Sequence, residues 1–311
     1  MNNESIQLSA ATVRKTMLGC LHTRQKLQDS FFFYCQSHNL NLCREAFIYL
    51  QFGVARRLNW IFKDLCWLTT YTPPDRTKPL TPDECGDAGR YLNSMYLHIR
   101  GVLDNFAWAL LWQLNPVKAQ ELEDTGGHRK VELFRDTGKN SLPTKLQQTV
   151  EGLKVWNDDL KSRRDPVAHR LPLQIPPQFV TRAEADKYLE LEGKDHENLN
   201  NLATAFAEHD VQNPYDGFND PPEQIMEHLD QIDKLSDEYD RKREILSKQM
   251  QSVGRFVPKF LYSLDESDLI DMYPTILEDC NNLITIADEV KLFLISLKQD
   301  SQNVSAQDFS N

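Results

Sequence analysis

The chain has 311 residues with 46 acidic and 35 basic side chains, a formal charge of −11, and 40% hydrophobic and 26% charged positions. That is the composition of a folded globular chain, and only twelve glycines, with Leu, Glu, Lys, Gln and Ala filling long uninterrupted stretches, argue for helices against sandwiches, barrels or collagen-like repeats. The acidic balance counts against a chain built mainly to coat nucleic acid, but it is unevenly spread. Residues 181–240 hold four basic against seventeen acidic side chains, a net of −13, so the remainder of the chain sums to +2.

The N-terminal stretch has no basic segment followed by an apolar one, so a cytoplasmic location is expected. Residues 9–37 and 43–69 read as two helices. The second carries Phe47, Leu50, Val54, Leu58, Ile61, Leu65 and Leu68 at spacings of three or four, and its charges exclude a membrane span. A proline-rich connector follows, then Thr81, Pro82 and Glu84 supply an N-cap, an N1 proline and a capping box for a helix with an apolar face from Leu92 to Leu114. On it Arg100 and Asp104 stand four apart and can pair.

Residues 124–140 are glycine-punctuated and read as a loop with room for a short strand, and Leu142 to Leu160 form the stripe of another helix ending near Arg163. Prolines at 166, 172, 176 and 177 then turn the backbone. Beyond a second capping box, Thr181 to Glu184, and a turn around 213–222, Ile225 to Met250 read as a long amphipathic helix, one arm of a hairpin. A short extended segment, RFVPKFLYSL, precedes a last helix over 274–298, and 299–311 read as a disordered tail. The expectation is an all-α bundle of about seven to eight helices with little or no strand: a core over 1–180, an acidic helical extension over 181–298 packing on it, and the tail.

Six cysteines lack metal-ligand or disulfide spacing, and His22, His38, His196, His209 and His228 have no ligand-like partners, so neither a metal nor a cofactor is expected. No phosphate-cradling glycine loop, nucleophile elbow or HExxH motif is present. One window concentrates chemistry: residues 163–170 read Arg-Arg-Asp-Pro-Val-Ala-His-Arg. Asp165 and Pro166 read as the N-cap and N1 of a new helical turn, with Arg164 just before it and His169 within it. A guanidinium suits phosphate and an imidazole moves protons near neutral pH, so the pair suits phosphodiester cleavage.

Arg164, Asp165 and His169 match an Arg, polar residue, three residues, His pattern, and with the all-α architecture the region over about 43–180 resembles the HEPN superfamily. The resemblance implies a homodimer that brings two motifs together and, in active members, a metal-independent ribonuclease of toxin or defence type. His169 would then be general acid or base at the ribose 2′-hydroxyl, Arg164 would stabilise the scissile phosphate and Asp165 would position its neighbours. Arg163 and Arg170 would bind substrate phosphate beside them, and Arg100 with Asp104 would be a supporting ion pair. RNA is the expected partner, with a protein partner or antitoxin as a further one and no membrane. The other class of reading is a non-catalytic helical interaction protein in which Arg164, Asp165 and His169 hold a helix junction and the acidic helix binds a partner.

Overall fold

A computed structural model describes residues 9–135, 139, 142–169, 171–212, 221–261 and 269–308. The fold is all-α, with a two-stranded antiparallel sheet as its only ladder among the described residues. None of the described helices is long and apolar enough to cross a membrane.

The chain divides into two compact units: Met1–Arg76, Glu84–Pro176 and Pro258–Asn311 form the first, and Thr77–Asp83 with Pro177–Val257 the second. In the first, α1 (Ala10–Cys35) starts at Ser9, whose hydroxyl accepts from the Thr12 amide at 3.1 Å. The expected helix over 43–69 is really α2 (Arg44–Ile48), a π-helical segment (Tyr49–Ala55) and α3 (Arg56–Tyr71). Its apolar face is nonetheless the one expected, with Leu50, Val54, Leu58, Ile61, Leu65 and Leu68 all buried. The π segment contains Gly53, where a Cβ would lie 2.6 Å from the Asn105 side-chain nitrogen, so a larger residue there would have to push the Asn105 amide aside.

That neighbour is α4 (Pro82–Leu114), which begins at Pro82 as its proline predicts and is buried at Leu92, Met95, Tyr96, Ile99, Leu103 and Phe106. An unanticipated helix, α5 (Pro116–Asp124), follows at once, its Asn115 N-cap accepting from the Lys118 amide at 3.1 Å. The glycine-rich region holds a 3-10 turn (Gly127–Lys130) and no strand among its described residues. The helix expected over 142–160 is two: α6 (Thr144–Gly152) and α7 (Lys154–His169), separated at Leu153 after a glycine that weakens the ladder.

The second unit contains α8 (Ala185–Gln212) and α9 (Pro222–Met250), packed as the expected hairpin arms. The Thr181–Glu184 box forms: the Glu184 carboxylate accepts from the Thr181 amide at 2.9 Å and from its hydroxyl at 2.8 Å. Leu191, Leu246 and Val253 are its buried cluster. Gly254 adopts φ 78°, and a Cβ there would sit 2.5 Å from the Phe179 carbonyl, which exchanges backbone hydrogen bonds with Arg255.

The domain boundaries differ from expectation: the second unit takes in Thr77–Asp83 from within the expected 1–180 core and stops short of 298. The acidic unit closes at Val257, and the chain returns to the first unit through β1 (Lys259–Phe260), β2 (Ile270–Asp271) and α10 (Met272–Asp308). The reason lies in α10, whose Ile276, Cys280, Leu283, Ile284, Ala287 and Val290 are fully buried and which packs on α1, where Tyr34 donates its hydroxyl to the Ala287 carbonyl at 2.6 Å. The helix backbone also runs on to Asp308 in place of a disordered tail from 299, because no glycine or proline interrupts it after Pro274. Residues 309–311 lie outside the described ones.

One acid breaks the apolar face of α10. Asp279 is 1% exposed and accepts three hydrogen bonds: from the Trp156 indole at 2.8 Å and Arg163 at 2.6 Å on α7, and from the Tyr96 hydroxyl of α4 at 2.9 Å. Burial pushes its carboxyl above the ordinary range, and Arg163, Trp156 and Tyr96 recover part of that cost. Asp279→Ala strands a buried guanidinium and two donors and is expected to remove about 3–5 kcal/mol of stability in chemical denaturation, whereas Tyr96→Phe, losing one neutral donor, removes about 1 kcal/mol.

Candidate functional site

Residues 163–169 of the window lie on the last turns of α7, and the helix runs through Pro166 to His169 without stopping. The new helical turn expected to begin at Asp165 is therefore absent, because proline's φ is itself helical and the ladder loses only the bond to the Ser162 carbonyl. The Ser162 hydroxyl donates to the Asp159 carbonyl at 2.7 Å within the same turn.

Arg163 points inward. Its side chain is 11% exposed, pairs with Asp279 and lies 5.8 Å over the Tyr96 ring, so the phosphate-binding role expected for it gives way to an internal one. Arg164 is the more open of the two at 29% exposed; one nitrogen donates to exposed Asp165 at 3.1 Å, and its buried Nε has no acceptor among the described residues. The His169 side chain and all of Arg170 lie outside the described residues.

The expected Arg100–Asp104 pair forms at 3.3 Å, but it belongs to a larger polar seam. Arg100 is buried and also reaches Glu132 at 3.0 Å and donates to the Asn157 side-chain Oδ1 on α7 at 2.9 Å. Glu132 in turn holds Arg135 at 3.1 Å and Lys161 at 3.8 Å. Crowding raises the Asp104 carboxyl above its usual range through desolvation, against which Arg100, Arg164 and Arg57 pull it down, while Glu132 pushes it up. The motif arginine and the α4 ion pair, 60 residues apart in sequence, thus act on one carboxylate.

Sequence reasoning missed Arg57, His98, Glu132 and Asn157. The signal available was Gly101: a Cβ there would lie 2.5 Å from the Arg57 guanidinium, so glycine opens α4 to an arginine crossing from α3. Gly53 does the same for Asn105 in the opposite direction. Arg57 meets His98 Nδ1 at 3.3 Å, and since arginine has no acceptor, that nitrogen must accept and the ring must be neutral. Burial and then the Arg57 charge push the His98 pKa down to about 4.

A histidine held neutral by the fold gives stability that is present above its unfolded value near 6.5 and is lost as pH falls toward 4, since the unfolded chain takes the proton first. We expect the parent to lose up to about 2 kcal/mol from this group over that window. A His98→Gln chain should show a visibly flatter melting temperature between pH 6.5 and 4; equal slopes would rule out His98 as the source.

Set against models of known families, curated proteins and solved structures, the chain matches none of them.

Proposed function

We propose that this chain is an endoribonuclease of HEPN type that cuts RNA without a metal, using Arg164, Asp165 and His169. The observation that carries the reading is the placement of Arg164: its side chain is 29% exposed beside Asp165, and its buried Nε has no acceptor among the described residues. A guanidinium that stays partly open at its end can add charge-assisted donors to those it already spends on Asp165, which is what stabilising the extra charge on a five-coordinate phosphorus requires. In this scheme His169 takes the 2′-hydroxyl proton, the 2′-oxygen attacks phosphorus, and the 5′-oxygen leaves with a proton, giving a 2′,3′-cyclic phosphate and a 5′-hydroxyl. A homodimer would set two such motifs side by side.

A second reading, a non-catalytic helical interaction protein, is favoured by one observation: Arg163, adjacent to the motif, is an internal strut to Asp279. Under it, substitutions in the window change stability or assembly and there is no cleavage to lose.

Incubation of the purified protein with single-stranded RNA in excess chelator separates the two. The ribonuclease reading expects cyclic-phosphate ends, with His169→Ala and Arg164→Ala each slowing cleavage about 100-fold or more at unchanged melting temperature. Intact RNA across a broad substrate set, or parent-like rates in both variants, would leave only the second reading.

A further inference from the structure

The face of α3 turned away from the core is not the polar surface an amphipathic helix usually shows. From the π segment onward it presents Phe52, Arg56, Trp60, Lys63, Trp67 and Tyr71 at spacings of four, four, three, four and four, one continuous stripe of alternating aromatic and basic side chains. Phe52, Trp60 and Trp67 are 48%, 44% and 46% exposed, large areas to leave in water without a function.

α4 completes the surface. Trp60 lies 4.6 Å from the neutral ring of His98, and Tyr91 packs against both Trp67 and Tyr71. The centroid separations are 5.8 Å for Trp67–Tyr91, 6.1 Å for Tyr71–Tyr91 and 6.1 Å for Trp67–Tyr71, with interplanar angles of 12°, 18° and 28°. A stacked column would put its outer rings roughly twice as far apart as its neighbours. Three near-parallel rings at the corners of an almost equilateral triangle form a cluster and not a column, and Trp67 keeps 46% of its surface exposed in it.

The charges around the cluster select its occupant. Arg56 lies over the Phe52 ring at 5.0 Å and Arg90 over the Tyr91 ring at 4.8 Å, while Lys63 is exposed between the two tryptophans. Arg56 and Lys63 have no carboxylate partner among the described residues; of the nearby acids, Asp64 is buried beneath the stripe and Asp87 is paired with Arg90 at 3.0 Å. A surface that stacks flat rings and carries positive charge between them fits a polymer of flat rings joined by phosphates.

We propose that this α3–α4 surface is a stacking platform for single-stranded nucleic acid, with bases laid on Trp60 and Trp67 and phosphates held by Arg56 and Lys63. Positions 60 and 67 stand about 10.5 Å apart along the helix axis, the length of about three base steps. The inference rests on the ribonuclease reading only for its choice of RNA over DNA; the platform uses none of the residues assigned to cleavage.

The test uses the full chain and a fluorescent 12-nucleotide 2′-O-methyl RNA, which has no 2′-hydroxyl nucleophile and so binds without being cut, followed by anisotropy. Trp60→Ala and Trp67→Ala should each weaken binding about tenfold and Arg56→Ala with Lys63→Ala at least as much, while Trp67→Phe stays within about threefold of the parent. Circular dichroism of each variant shows whether the fold is kept, and recovery in Trp67→Phe separates a lost ring face from a lost core contact. Equal binding of the matching DNA strand would keep the platform and remove the preference for RNA. Failure of the parent to bind, parent-like binding by the alanine variants, equally tight binding of a duplex, or complete displacement by poly-glutamate would each overturn the proposal, the last pointing to an acidic protein partner. Strip-dependent binding without any cleavage of ordinary RNA would sink the ribonuclease reading alone.

Discussion

A single carboxylate sets the geometry of the first unit. Asp279 has no access to water, and an isolated charge there would be untenable, so every element near it must deliver a donor: α4 the Tyr96 hydroxyl, α7 the Trp156 indole and the Arg163 guanidinium. These bonds are directional where apolar packing is not, and they fix the rotation of α7 about its axis. With Arg163 turned inward, Arg164, one residue on, is carried about 100° around the helix toward the seam at Asp104. The openness of the motif arginine is thus a consequence of its neighbour's burial.

The seam itself is built by two mutual concessions of volume. α4 gives up a side chain at Gly101 for Arg57, and the π segment gives one up at Gly53 for Asn105. The helices come close enough for polar groups to cross between them, and Arg100 and His98 are satisfied from the neighbouring elements. His98 is kept neutral by burial and then by Arg57, so its ring behaves as a neutral support beside Trp60.

The helical class and the apolar faces were readable in the sequence because burial imposes a 3.6-residue period that Leu50 to Leu68 and Leu92 to Phe106 obey. The motif at Arg164 and the Arg100–Asp104 pair were also visible, the first by composition and the second by spacing. What was not visible depends on distance in space. Asp279 is one acid among many until its three donors arrive from α4 and α7, and only its position between Ile276 and Cys280 on an apolar face hints at burial. The break at Leu153, the π segment at 49–55 and the continuation through Pro166 are small backbone choices decided by tertiary packing rather than by local preference. The stripe from Phe52 to Tyr71 escaped because it obeys the same period as the core face and lies on the other side of it.

The acidic hairpin of the second unit carries most of the chain's excess charge on a buried cluster of Leu191, Leu246 and Val253. Its i,i+4 pairs, Lys194–Glu190, Lys242–Glu238 and Lys248–Glu244, are exposed and neutralise few of the fifteen acids on its two helices. Mutual repulsion among the rest is relieved by dissolved ions, whose screening length is about 10 Å at 0.1 M. Repulsion within the hairpin therefore falls as ionic strength rises, while the attraction of the basic α3–α4 face for any anion falls under the same change. One chain holds two surfaces on which electrolyte acts to opposite effect, relieving one and weakening the other.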